Sequence, residues 1–364
     1  MPARANWGRR VHKAPAQFKR EMFLASTNQF AATLREQFDR TQPLYLLIDP
    51  IVGDFLPQPA FSPTDDAKSV RSAREKAFDR SVFPINLSPD INLPPSLHPY
   101  LVAMASFDDP WIAASQELAG AQNEKAWAAG LAGDGWAVSK VGGWLQSAMP
   151  AQALAAKLAC WMRLDTEVRT EARYLRLADS RVLALLAFVL GRERFVGAMG
   201  GLRLWFFMDA YGRLDSLDNK ASGDAANESA GLLRLDKRQW QIMQNGAAIH
   251  GAIAKAWGER RKDGGGEITF PAEIPYAAAA VAADAFSVLP QPSLACTTPE
   301  DRCTAMALAL LHPGWASQVD VKRHLAENAD EYALADLGQE LHEILTSAAV
   351  ADPVKATLGN NNEH

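Results

Sequence analysis

Read for the spacing of its apolar residues, the chain opens with a polar arm and then a helical stripe. Thr27 stands where a cap would, and Phe30, Leu34 and Phe38 recur every fourth residue. The run Leu44-Tyr45-Leu46-Leu47-Ile48 follows, closed by Asp49-Pro50. Unbroken apolar character over a strand's length describes a strand buried on both faces, so this one is expected near the middle of a sheet. From 53 to 99, prolines at 57, 59, 63, 84, 89, 94, 95 and 99 leave room for one short helix near 65–79. A second strand is expected at Tyr100-Leu101-Val102-Ala103-Met104. Residues 111–162 read as mostly helical, interrupted by glycines at 130, 133, 135, 142 and 143, and they end on a stripe of Leu154, Leu158 and Trp161.

The period then changes. Residues 172–177 alternate with period 2, as a strand with mixed faces does. Asp179 or Ser180 caps a helix carrying Val182, Leu183, Leu186, Val189 and Leu190, and Gly191 ends it. Leu204 to Met208 is an aromatic-rich strand. In 215–230 the one large apolar residue is Leu217, too little to hold a segment in a core, so a linker is expected there. Beyond it, Asp236 and Gln239 have capping-box spacing, ahead of a single long helix with Trp240, Met243, Ile249, Ile253 and Trp257 on one face. Thr298-Pro299-Glu300-Asp301 starts another helix, stopped by His312-Pro313-Gly314, and Leu334, Leu337, Leu341, Ile344 and Leu345 stripe the last one.

These elements specify an α+β fold. One lobe holds strands at 44–48, 100–104, 172–177 and 203–208 in one mixed sheet with packed helices, and a helical lobe follows. The divisions are a basic N-terminal arm at 1–26, the α+β lobe at 27–214, a linker at 215–231, the helical lobe at 232–350 and a polar tail at 351–364.

Composition narrows the functional classes. With 48% hydrophobic residues in 364, the chain has apolar mass for two cores. Its longest apolar run, Val182 to Leu190, is half of what a bilayer span needs, so membrane insertion is not expected. The arm is basic without an apolar signal core, so export by a signal peptide is not expected and a cytoplasmic location is. Cys160, Cys296 and Cys303 have neither disulfide nor zinc spacing and read as reduced core thiols. A net charge of −5 argues against a dedicated nucleic-acid binder, although the ends differ in sign: residues 1–40 carry 8 basic and 3 acidic side chains, residues 295–364 carry 4 and 11.

The usual catalytic patterns are missing. The sequence has no phosphate-binding G-x-x-x-x-G-K-[ST] loop and no G-x-S-x-G elbow, and Gly197, Gly200 and Gly201 follow a helix rather than a strand, the wrong order for a dinucleotide site. No histidine has another at i+4, so His324, with Glu327, and His342, with Glu343, read as surface residues, and His250 as a core residue. No catalytic, cofactor-binding or metal-binding residue is assigned. Arg173, Arg176, Asp179 and Arg181 form the most suggestive charged cluster. It serves either an internal ion pair or, in an enzyme, the guanidiniums that would bind an anionic substrate. Among the tryptophans, Trp136 and Trp144 lie in glycine-rich surroundings and are candidate partner anchors, as are Trp257 and Arg173.

The order of the segments carries a resemblance. LYLLIDP, HPYLVAM, GGWLQSAMP, YLRLADSRVLALLAFVLGRERFVGAMGGLRLWFFMDAYGRL and LLRLDKRQWQIMQNGAAIHGAIAKAW succeed one another along residues 44 to 257. This resembles the effector-adaptor chaperones of bacterial type VI secretion, of the Tap or TEC type. The matching residues are Asp49, Pro99, Tyr100, Leu101, Gly143, Ser147, Arg176, Asp179, Arg181 and Trp205. Ser180 stands in place of the family's corner proline, and Ala178 in place of its usual aromatic. The resemblance implies a cytoplasmic protein that is no catalyst and needs no cofactor. Its partners would be a secreted toxin effector, bound by its N-terminal region, and the VgrG spike or PAAR tip onto which it is loaded.

Overall fold

The computed structural model describes residues 32, 36–56, 61–62, 64–132, 139–166, 169–209, 214–219, 233–264, 276–285, 298–328 and 332–351. They form two compact units. The first takes the residues up to Gln244 except 129–132, the last four residues of a helix that otherwise belongs to it; these group in the second with those from Asn245 onward.

The first unit contains β1 (Leu44–Ile48), α1 (Ala67–Phe78), β2 (Val82–Pro84), β3 (Tyr100–Met104), α2 (Pro110–Ala132), β4 (Val141–Ser147), α3 (Ala151–Trp161), β5 (Arg163–Thr166), β6 (Arg169–Tyr174), α4 (Ser180–Leu190), α5 (Arg192–Ala198), β7 (Leu202–Met208), β8 (Leu214–Asp218), β9 (Leu233–Leu235) and α6 (Lys237–Gln244). A six-stranded sheet runs β2-β3-β1-β4-β7-β8, and every neighbouring pair in it is antiparallel. All of β1 is buried, as its unbroken apolar run requires of a strand between two others. Leu44, Leu46 and Ile48 join a core with Phe78, Ile112 and Trp144. Tyr45 and Leu47 alternate to the other face, where α3 meets β2 and β3 and α4 meets β4.

Three differences from the sequence reading have local causes. β4 lies in the stretch read as helical. Gly142 and Gly143 serve a bulge, where the β1 register jumps from Leu47 opposite Gly143 to Ile48 opposite Val141. Gly143 adopts φ 128°, and a Cβ on it would collide with the Phe206 carbonyl oxygen. The strand expected at 172–177 is β6, ending at Tyr174, and it belongs to a second sheet ordered β6-β5-β9, so the four expected strands do not share one sheet. Finally, β8 falls inside the expected linker, and β9 and α6 fall inside the expected helical lobe. There β9 pairs with β5, and α6 packs on α4.

The second unit contains α7 (Gly246–Gly264), α8 (Tyr276–Ala285), α9 (Pro299–Leu311), α10 (Val319–Asn328) and α11 (Leu334–Ala351). The single helix expected from Trp240 to Trp257 is two, parted at Asn245, whose carbonyl accepts from Ile249 N at 2.8 Å. The reciprocal caps read from the sequence are made. Gln239 N donates to Asp236 at 2.8 Å while Asp236 N donates to Gln239 at 3.1 Å, and Thr298 and Asp301 form the same box at α9. Leu308, Trp315, Leu325, Leu337, Leu341 and Leu345 pack into one apolar cluster. Among the described residues no helix is long and apolar enough to cross a membrane.

Candidate functional site

The residues that carry the resemblance are scattered from 49 to 205, and many of them meet at the end of β1 and along β4. Asp49 has no exposed surface. Its carboxylate caps the single turn at Pro50–Val52 by accepting from Ile51 N at 3.0 Å, and it accepts from Arg176 Nε at 2.9 Å, with Nη2 at 2.8 Å. Burial is the strongest influence on this carboxyl and raises it above the usual range, although Arg176 and the Ile51 amide pull it back.

Three residues after Arg176, Asp179 caps α4 by accepting from Arg181 N at 3.1 Å. The Arg181 side chain closes back on the same carboxylate with Nε at 3.0 Å and Nη2 at 2.8 Å, a bidentate fork. Here too burial opposes charge, but the hydrogen bonds and charge of Arg181 outweigh it and hold the Asp179 carboxyl below its ordinary range. Tyr174 feels the charges of Asp49, Arg176 and Asp179. Burial, and after it the charge of Asp49, make its phenol much harder to ionise than usual.

The corner residues fit closely. Ala178 is fully buried, and its Cα would lie 2.8 Å from a Cβ added to Gly142, so the backbone at 178 leaves no room for a side chain at 142. Trp205 Nε1 donates to the Gly142 carbonyl at 2.9 Å, and its indole lies against Gly143. At the far end of β4, Ser147 Oγ donates to the Gly201 carbonyl at 2.7 Å. The Pro99 carbonyl accepts from Ile85 N at 2.8 Å, and the buried Tyr100 hydroxyl donates to Asp54.

This arrangement is electrostatically closed. Two acids meet two guanidiniums within the chain, so Arg176 and Arg181 each have an opposite charge beside them. Arg173 stands on β6 opposite Leu164, half-buried and engaged in interactions of its own. Among the described residues no group of three or more His, Cys, Asp and Glu side chains could hold a metal ion.

The candidate anchors fare unequally. Trp144 is fully buried in the core and donates from Nε1 to Ser115 Oγ at 2.9 Å, so it is not a surface anchor; the glycines around it serve the bulge. Trp136 lies outside the described residues. Trp257 is half-buried, with the Arg260 guanidinium 5.8 Å from its ring centre.

Two features escaped the sequence reading. The first is a second buried pair: Arg74, 1% exposed, donates to Asp54 at 2.9 Å and to the Ser96 carbonyl at 2.7 Å, and lies 4.0 Å from the Tyr100 ring centre. Its signal was available, because Val70, Arg74 and Phe78 make one helical stripe, and an arginine in an apolar stripe calls for a partner. The second is a cleft of about 430 Å³ between the exposed side of α3 and the strand β2, and Cys160, expected in the core, is exposed there because it falls on the outer side of the Leu154, Leu158 and Trp161 stripe. No family model, curated protein or solved structure matches the chain.

Proposed function

We propose that the protein is an adaptor of a type VI secretion system. It holds a toxin effector in the cytoplasm and promotes the effector's loading onto the VgrG spike or its PAAR tip, without catalysing a reaction. The observation that carries this reading is convergence. Asp49, Gly143, Arg176, Asp179, Arg181 and Trp205, chosen from separate motifs, build one buried corner in which their charges and shapes answer one another. Motif residues that serve an enzyme converge on a cleft with unspent chemistry. These converge on architecture, which supports a binding scaffold and counts against the alternative of a catalyst using Arg173, Arg176 and Arg181.

The test is co-expression of the full chain with the toxin encoded beside it, and deletion of the chain in the native bacterium. Co-purification of the two proteins and a raised soluble yield of the toxin are expected, with delivery lost in the deletion strain. Unchanged toxin solubility and delivery in that strain would falsify the adaptor reading.

A further inference from the structure

The cleft beside α3 is built for a helix rather than a strand. In the β2–β3 ladder, Ile85 N donates to Pro99 O at 2.8 Å and Ala103 N donates to Ser81 O at 3.1 Å, so the odd-numbered residues of this segment face β3. Antiparallel pairing then turns the backbone groups of Val82 and Pro84 toward the free edge. Neither offers a donor there: Pro84 has no N–H, and the Val82 N–H is taken by Glu75 Oε1 at 3.3 Å. A partner therefore gains little by adding a strand and must bring side chains.

The floor suits that mode of contact. Ala155 and Ala159 lie one turn apart on α3, with Ala156 and Cys160 beside them, and Phe83 and Pro84 form the facing wall. These small side chains, spread over about one and a half turns of α3 and a length of about 8 Å, allow another helix axis to approach closely at that point. The charged groups lining the cleft are Arg71 and Arg163, and no acid is among the lining residues. Their present partners are Glu75 at 2.9 Å and Asp90 at 3.4 Å, both solvent-accessible pairs of the kind worth about 0–1 kcal/mol. Carboxylates on an incoming segment can take over such arginines at little cost.

We propose that this cleft, between α3 and the β2 edge, receives a helical segment of the carried effector whose aliphatic stripe is flanked by Asp or Glu residues. The proposal rests on the adaptor reading above and adds to it the place and chemistry of the contact.

The experiment places the photo-crosslinking residue p-benzoyl-phenylalanine at position 156 of the full chain, co-expressed with the toxin encoded beside it. Two binding variants accompany it, Ala156→Trp and the double reversal Arg71→Glu with Arg163→Glu. Position 156 is exposed, so the melting temperature of Ala156→Trp should match that of the parent. The cross-link is expected to map to one amphipathic, acid-flanked segment of the toxin, and each variant to weaken the complex about tenfold or more. A cross-link to an extended or basic segment, or to a second copy of this chain, overturns the proposal, as does full affinity in Ala156→Trp; co-purification in those cases leaves the adaptor reading standing. Failure of the toxin to co-purify with the parent chain removes both.

Discussion

In the α+β unit, acids go into the core with arginines. Asp49 with Arg176, Asp179 with Arg181, Asp54 with Arg74 and Asp109 with Arg80 each join a buried carboxylate to a guanidinium. In the helical unit the core is a leucine cluster, and the buried Asp301 serves a helix start with one oxygen while the other accepts from Ala335 N at 3.0 Å. The difference follows from how each unit is held. A helical stripe finds its neighbour by apolar contact, which is non-directional. The α+β unit must fix segments far apart in sequence, such as 49 and 176, and a bidentate or capped ion pair specifies position in a way that apolar contact does not.

The sharpest way to break this comparison is to remove one acid and leave its guanidinium. Asp49→Ala is expected to cost about 3–5 kcal/mol, because Arg176 is then left charged and poorly compensated beside the buried corner. Replacing both, as Asp49→Ala with Arg176→Met, should recover much of that loss if the pair supplies position more than net energy. Urea denaturation gives the free energies. A double variant that costs the sum of Asp49→Ala and Arg176→Met measured singly would mean that each residue acts independently, and the comparison would fail.

Next in size is the apolar counterpart. Leu341 is fully buried at the centre of the helical cluster, so Leu341→Ala should cost about 2–5 kcal/mol through lost burial and a residual cavity. Amide hydrogen exchange should place the loss in α9, α10 and α11. A smaller effect is expected at the α9 start, where Thr298→Ala removes one half of the capping box for about 1 kcal/mol, read from the same urea curves. An effect of Thr298→Ala larger than that of Leu341→Ala would show that caps, not the leucine stripe, hold the unit.

The same contrast explains what could be read along the chain. The helical unit was legible in its caps and stripes, since Thr298, Asp301 and the leucines of α11 act within a few residues of one another. β1, β3 and β7 were legible because apolar runs flanked by turn residues have few other uses. β4 was not, since Gly142 and Gly143 suggest a break until the bulge against β1 is known. Nor were β8 and β9, which hold few large apolar residues and exist through their pairing with β7 and β5. The corner residues Asp49 and Arg176 were named by their motifs, but their mutual contact spans 127 positions, and only the fold brings them together. Trp144 was misplaced for the same reason: its surroundings in sequence are glycine, and its surroundings in space are core.

The smallest expected effect concerns pH and again separates the two units. His98 precedes β3 and is half-buried, with Nε2 3.1 Å from the Leu93 carbonyl. Burial is the main influence and disfavours its protonated form; the Leu93 carbonyl works the other way, and the nearby charge of Arg74 adds to the suppression, so its folded pKa lies below 6.5. The unfolded chain therefore binds this proton more readily than the folded one. The contribution of His98 to stability is complete above pH 6.5 and is lost as pH falls from there through the folded value. Melting followed from about pH 7 to about pH 5 should show this decline, and His98→Gln, which keeps an N–H donor for Leu93, should make it shallower by less than the loss from Thr298→Ala. Hydrogen exchange at the two pH values assigns the change. Loosening confined to β2, β3 and α1, with α9 to α11 unmoved, fits a titrating group inside the charged architecture, whereas equal loosening in both units, or a decline that His98→Gln leaves untouched, would place the pH sensitivity elsewhere.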